Sequence, residues 1–415
     1  MNKVLDSLKV SVTPRTKLLN VSDIHLAAKQ TVASRIVEDE LSNKIESISA
    51  ESPAVIVLNG DIFELWAGKE PSVDKALRAH SKLSKALHNF SIAKDHRVVF
   101  IVGNHDGSLA WDESAQSTLA AKFSADVCLS LEVAISTKKG TRSIYFEHGH
   151  MLDKENSTDD PRDPNSKSLG QYIVQEIMPM IMQVQGDILK GLNHLQERDK
   201  YGKFAISKLF YKDLLARIVK LVIAILSISL IEVLLATYIN NSLGYDRTAF
   251  NGYLLSIVTI GVLNFIILVL VVIVLFKGLA RRANSLPKTN SSENLNKISE
   301  SKAREITKKS TVVGFITGHT HQAQLSKLED GFYANSGCGV EQVEEASSRF
   351  KMPKPFISRN NLNWIEVDLN GEGLEVSLFE RSTDNKGLNF AENLFSIKPK
   401  LNIDSHLIKT ISIKY

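Results

Sequence analysis

The chain has 415 residues, 43% of them hydrophobic and 23% charged, an ordinary globular composition with room for two or more domains and a sizeable core. Its formal charge of +4 is local, because Lys277 to Lys309 carries nine Lys/Arg against three Glu and leaves −2 for the remainder, so it gives no general ground for nucleic-acid binding. Two cysteines, Cys128 and Cys338, without a CxxC spacing, exclude a disulfide framework and point to a reducing, cytosolic setting.

The N-terminal "MNKVLDSLKVSVTPRTKLLN" has no uninterrupted apolar stretch, and no cleaved export signal is expected. The runs "KLLNVSD" (Lys17 to Asp23), "AVIVLNGD" (Ala54 to Asp61) and "RVVFIVGNHD" (Arg97 to Asp106) read as buried strands that end in carboxylates or in Asn-His-Asp. Between them, Thr31 to Ser49 and Asp74 to Phe90 have helical spacing of apolar residues, which makes this an α/β layered domain. A fourth strand, "SIYFEHGH", ends at His148 and His150.

Ser168 to Gln196 is then Met-rich and apolar at helical spacing, with a break or kink expected near Pro179; it reads equally as an adaptable apolar surface or as a core helix. Ile218 to Ile239 carries only Lys220 and Glu232 as charges, and Tyr253 to Phe276 carries none. Each is close to the ~20 apolar residues that span a bilayer, and a short polar turn joins them, so a membrane hairpin is expected. Glu232 is expected to make a polar contact with the second helix at the level of Thr259 to Asn264. Arg217 and Lys220 flank the first span and Lys277, Arg281 and Arg282 follow the second, which places both outer ends in the cytosol. The Ser-, Asn-, Lys- and Glu-rich run Ala283 to Lys309 reads as a polar linker.

After it, "TVVGFITGHTH" is a fifth strand, ending at His319 and His321, and "NWIEVDL" with "LEVSLFER" forms a hairpin across "NGEG". Beyond Arg381 only "HLIKTISIKY" has strand character.

Open α/β sheets build their sites at the C-terminal ends of strands, and here those ends carry Asp23, His25, Asp61, Asn104, His148, His319 and His321. This mixed N/O set suits Mn, Fe, Zn or Ni better than Mg or Ca. Seven donors are too many for one ion and fit two ions that share a carboxylate. Such a pair binds a bridging hydroxide and clamps a phosphoryl group, a mechanism for cutting phosphate esters or pyrophosphates. His80, His88, His96, His194 and His406 match none of these strand ends and read as surface or structural residues.

The blocks "SDIHL", "NGDIFELW", "GNHD", "HGH" and "GHTH", in this order, resemble those of the calcineurin-like metallophosphoesterases over about residues 17–150 and 311–380. The resemblance implies a layered β-sandwich core flanked by helices, here an α/β fold with an inserted two-helix transmembrane hairpin. It implies that Asp23, His25, Asp61 and His321 hold one metal, with Asp61 bridging, and that Asn104, His148 and His319 complete the second. It makes His105 the residue that protonates the leaving oxygen or steadies charge in the transition state and Asp106 its orienting partner, and it leaves His150 either a substrate-phosphate contact or a support behind the ligands. Two divalent ions, Mn²⁺ first, are the implied cofactors.

The run "GDIFELW" and a helical insertion at this place are similar to the UDP-2,3-diacylglucosamine pyrophosphatases, although the chain departs from that subgroup at His105 and in "HGHMLDKEN". The expected organisation is core (1–160), lid or membrane-proximal insertion (161–216), hairpin (217–280), linker (281–310), core (311–380) and C-terminal extension (381–415). The expected activity is hydrolysis of a lipid-linked or amphiphilic phosphate at the inner membrane by a cytosolic catalytic domain. Membrane lipids are its expected partners, and nucleic acid is not. A tethered nucleotide or nucleic-acid phosphodiesterase and a catalytically silent scaffold are the alternatives.

Overall fold

Strands buried on both faces need no polar alternation, and the central runs of this chain have none. In Ala54–Asn59 the side chains of Ala54, Ile56 and Leu58 enter one apolar core while Val55 and Val57 enter another. Arg97–Ile101 does the same, with Val98 and Phe100 on one side and Val99 and Ile101 on the other. The structure, a computed structural model, describes residues 4–49, 53–68, 70–137, 140–180, 200–244, 247–284, 292–309, 311–349, 352–370, 372–384, 388–397 and 406–414.

In chain order its strands are β1 (Leu8–Val12), β2 (Lys17–Val21), β3 (Ala54–Asn59), β4 (Arg97–Ile101), β5 (Asp126–Cys128), β6 (Ser130–Thr137), β7 (Gly140–Glu147), β8 (Val312–Thr317), β9 (Gln324–Lys327), β10 (Phe332–Asn335), β11 (Glu341–Glu345), β12 (Ser347–Ser348), β13 (Phe356–Asn370), β14 (Gly373–Asp384), β15 (Ser396–Ile397) and β16 (His406–Lys414). One sheet runs β16-β14-β13-β2-β3-β4-β5, with β11 also on β13, and a second runs β1-β6-β7-β8-β10-β9. The stretch from β2 to β5 is parallel, and so is β7 with β8, so their C-terminal ends point the same way within each sheet. The two sheets face each other across Leu18, Val57, Val99, Val133, Phe146, Ile316 and Ile365.

Helices α1 (Val32–Ser49), α2 (Val73–Ala79), α3 (Ser81–Ile92) and α4 (Glu113–Phe123) cover the outer face of the first sheet. Val37, Leu41, Ile45 and Ile48 form the buried stripe of α1. The single helix expected from Asp74 to Phe90 is two, parted at His80. Glu38 from α1 makes the break: one of its oxygens accepts the amides of Lys82 and Leu83 at 2.8 and 3.1 Å, and the other lies 3.4 Å from the buried His80 ring. A carboxylate from another helix thus caps the second one, which local spacing does not reveal.

The expected polar linker contains a helix, Ser292–Lys309, which packs Ala303 against Phe315 of β8 and Tyr333 of β10. Its inner face is made of Asn296, Ser299, Ala303 and Thr307, all buried and none strongly apolar, so it carries no hydrophobic period. The extension beyond Arg381 contributes β16, formed by the "HLIKTISIKY" run, to the edge of the first sheet.

Two helices, Leu215–Leu243 and Arg247–Asn284, are long and apolar enough to cross a membrane. Their most apolar stretches bury nothing against the rest of the protein. Glu232 is exposed on the first of them rather than enclosed between the two. A further stretch, Tyr201–Leu209 continued by a π-turn over Phe210–Leu214, leads into the first helix without a break. Residues 181–199, most of the expected Met-rich segment, lie outside the described residues.

Candidate metal centre

The loops after β2, β3, β4, β7 and β8 converge at one end of the sandwich and are laced together by backbone bonds. The amides of Asp23 and His25 donate to the carbonyls of Gly60 and Asp61, both at 3.0 Å, and Gly318 N donates to His148 O at 2.9 Å. Eight described non-glycine residues have positive φ, and five of them are Asp23, His25, Asp61, His319 and His321. Left-handed backbone at such residues costs on the order of 1–3 kcal/mol each and persists where surrounding bonds over-determine it. Gly60 takes φ 81°, and a Cβ there would sit 2.4 Å from the His148 ring; one at Gly103 would meet Asp61 Oδ1 at 2.2 Å.

Among the described residues these side chains form three donor groups, Asp23 with His25 and His321, Asp61 with His148 and His319, and His25 with Glu64 and His105. His321 Nε2 lies 3.2 Å from Asp23 Oδ1 and 3.4 Å from His25 Nε2, while His148 Nε2 lies 3.3 Å from Asp61 Oδ2. Two donors each about 2.1 Å from a common ion lie about 3.0–3.4 Å apart. Asp23 Oδ1, His148 Nε2 and Asn104 Oδ1 are buried without a well-formed hydrogen bond. Buried polar atoms left in this way call for an explanation, and a shared cation supplies one.

The other ring nitrogens are already committed. His148 Nδ1 donates to Asn59 O at 2.8 Å, His319 Nε2 to Asp153 Oδ2 at 3.1 Å and His25 Nδ1 to Glu64 Oε2 at 3.2 Å. Each bond fixes a tautomer whose free lone pair faces the cluster.

The electrostatics agree with this geometry. Burial opposes ionisation of Asp23 and Asp61, but His148 and His321 around Asp23, and His148 and His105 around Asp61, outweigh it and hold both carboxyls below their usual range. Burial likewise opposes a charged His148, yet Asp61 and Asp23 push it up to about 9. A cluster that draws protons onto its imidazoles is one in which divalent cations replace those protons. The residues therefore fit the two-ion set.

Residues 16–222 match the Calcineurin-like phosphoesterase family model. The chain carries a calcineurin-like phosphoesterase domain. It is accordingly a phosphoester hydrolase of a family that works with divalent metals. No curated protein matches the chain. Among solved structures, a predicted phosphoesterase from Streptococcus pneumoniae has a TM-score of 0.27 at 10% identity, covering 96% of this chain and 97% of its own. A Vps29 mutant from Entamoeba histolytica has a TM-score of 0.27 at 10% identity, covering 89% and 99%, and a phosphopantetheinyl hydrolase from Mycobacterium tuberculosis 0.28 at 10%, covering 79% and 91%.

In this phosphoesterase His105 belongs, with Glu64 and His25, to the third of these groups. Its Nδ1 donates to Glu64 Oε2 at 2.8 Å, its ring stacks on Trp66 with centroids 4.0 Å apart, and its amide donates to Asp61 Oδ1 at 2.7 Å. Burial lowers its pKa, but Glu64 and Asp61 together raise it above the ordinary histidine value. Asp106, expected to orient His105, is instead a backbone clamp: it accepts the amides of Gly103 at 2.7 Å and Ile62 at 2.8 Å, tying the β4 loop to the β3 loop. The orienting role falls to Glu64, which holds both His25 and His105 and accepts the amides of Trp66 and Ala67. Its position three residues after Asp61 in "GDIFE" was the signal for it.

His150 lies in the wall of a cleft of about 400 Å³ that also takes in Asn104, His105, Trp66 and Trp111 and extends along residues 156–175. Burial, then His148 and His319, lower its pKa to about 3.

The loop that carries His319 and His321 lies beyond the matched range and is held from behind by Asn296. Its Oδ1 accepts the Thr320 hydroxyl at 2.8 Å and Asn335 Nδ2 at 3.1 Å, and its Nδ2 donates to Gln322 O at 3.1 Å. The amide thus brackets His321 on both sides. Asn296→Ala is expected to lower stability by about 1–3 kcal/mol, since buried partners lose their bonds, and to weaken metal binding by about tenfold. Urea unfolding and calorimetric Mn²⁺ titration check this; an unchanged metal affinity would remove Asn296 from the site's support.

Proposed function

We propose that this protein is a two-metal hydrolase of a lipid-linked or amphiphilic phosphate ester or pyrophosphate, held at the membrane by the hairpin Leu215–Asn284. The observation that carries the reading is the wall of the cleft. One side holds His105, Asn104 and His150, and the other is the segment 156–175, which outside the cleft presents Leu169 and Tyr172 to solvent, followed by Ile177 and Met180. A polar reacting end beside an apolar surface fits an amphiphile. The chain then runs through Tyr201–Leu214 into the first apolar helix, so the same insertion borders the cleft and enters the bilayer.

Asp23, His25, Asp61 and His321 would hold one ion, and Asp61, Asn104, His148 and His319 the other, with Mn²⁺ the first choice. Bound there, two divalent ions supply Lewis-acid charge to a phosphoryl group and make water acidic enough to attack at neutral pH. The chain's own part is positioning and proton transfer. His105, with Nδ1 fixed by Glu64, presents Nε2 as the proton donor to the leaving oxygen, and His150 offers a neutral imidazole to a phosphate oxygen. The flanking basic residues support a topology with both ends of the hairpin, and with them the catalytic domain, on the cytosolic side.

Detergent-purified protein, stripped by chelation, is expected to lose hydrolysis and to regain it with Mn²⁺. With UDP-diacylglucosamine, a lysophospholipid phosphate, bis-p-nitrophenyl phosphate and a cyclic nucleotide offered side by side, the amphiphilic substrates should be preferred. Activity confined to the water-soluble esters would reduce the hairpin to a tether.

A further inference from the structure

The short helix Phe390–Phe395, in the C-terminal extension, starts from a capping box in which Asn389 accepts the Glu392 amide and Glu392 accepts the Asn389 amide. Glu392 is fully buried and takes a 2.6 Å ion pair from Lys208, itself buried on the stretch that leads into the first apolar helix. Ala391 and Phe395 pack against Phe210 and Tyr211, onto which Leu214 and Leu215 also pack, and the Tyr211 hydroxyl donates to Pro353 O at 2.5 Å. The docking is therefore built on one face of the helix.

The opposite face has no such partner among the described residues. Phe390 is 86% exposed and Leu394 51%, and four residues apart on a helix they share a side. Their helix sits on the Phe210–Tyr211 cluster, which extends to Leu215, three residues before the apolar run that begins at Ile218, or about 4.5 Å of helix rise. The headgroup zone on each side of a bilayer is about 5–7 Å deep. We propose that Phe390 and Leu394 enter the lipid interface beside the first span, giving the catalytic domain a third membrane contact that fixes its tilt. Aromatic and aliphatic side chains at that depth bury apolar area without needing to span. The proposal rests on the hairpin crossing a bilayer, and the test separates the two.

Phe390→Trp, Leu230→Trp in the middle of the first apolar helix, and Ile92→Trp on the catalytic core are each made in the full chain and reconstituted in phosphatidylcholine vesicles. Emission in brominated and unbrominated lipid is compared with the parent, which has three tryptophans. In the Leu230→Trp protein the added emission should be quenched most by deeply brominated lipid. In the Phe390→Trp protein it should be quenched most by lipid brominated near the headgroup, and in the Ile92→Trp protein not at all. Quenching at position 230 with none at position 390 overturns the interfacial contact and leaves the hairpin standing. No quenching at position 230 removes the hairpin reading and this proposal with it. Blue-shifted emission from the Phe390→Trp protein that depends on protein concentration, without quenching, assigns the face to a second copy of the chain and overturns the proposal as well.

Discussion

Replacing His105 by alanine is expected to lower kcat by about 10²–10⁴-fold, the usual contribution of a positioned acid, while KM changes little and two metal ions per chain are retained. The expectation follows from its place: the ring is near the donor cluster, bound through Nδ1 to Glu64 and stacked on Trp66, with its Nε2 toward the cleft. Kinetics beside metal analysis of the same sample check it. A fall in kcat that tracks loss of metal would make His105 a support for the cluster and not a proton donor. The acid also has a pH signature. Burial disfavours the charged ring, but Glu64 and Asp61 raise its pKa above the ordinary value, so the protonated form persists to higher pH than in a free histidine and is lost on the alkaline side. Glu64→Gln removes one of those charges and should move the alkaline limb of kcat/KM to lower pH.

The second large effect is expected at Glu64 itself. One carboxylate holds His25 on one side and His105 on the other, and its remaining oxygen ties down the amides of Trp66 and Ala67. Burial disfavours its ionisation, yet His105 and the hydrogen bonds to both imidazoles hold its pKa far below the carboxylate range, so it is charged at any pH where the protein works. Glu64→Ala should cost about 10–100-fold in both metal affinity and activity, the usual result of removing a partner that orients a metal ligand. Titration calorimetry with Mn²⁺ and kinetics at saturating metal separate the two losses. If affinity holds and activity alone falls, the bond to His105 matters and the bond to His25 does not.

The strand ends were legible because buried parallel strands write themselves as unbroken apolar runs, and a polar residue directly after such a run has few places to be except the sheet's edge. Asp23, Asp61, Asn104, His148 and His319 all follow runs of that kind, and the structure brings Asp23, Asp61, His148 and His319 together with His25 and His321. Glu64 was within a quoted motif but without a role, because which imidazole a carboxylate touches depends on the path of two other loops. Asn296 gave no sign at all. Its helix turns small and polar residues inward, and its partners Thr320 and Asn335 lie 24 and 39 positions away. The helix break at His80 was hidden for the same reason, being imposed by Glu38 from α1.

The order of the donors along the chain has a consequence for biosynthesis. Asp23, His25, Asp61, Asn104 and His148 are made first, then both apolar helices, then Asn296, and only afterwards His319 and His321. Chains fold as they are synthesised from the N-terminus, and both apolar helices have been made before the last two imidazoles exist. An unfinished copy, or one cut within the insertion, holds an incomplete donor set. With the proposed ligand set, hydrolytic competence is confined to chains whose hairpin has already been made.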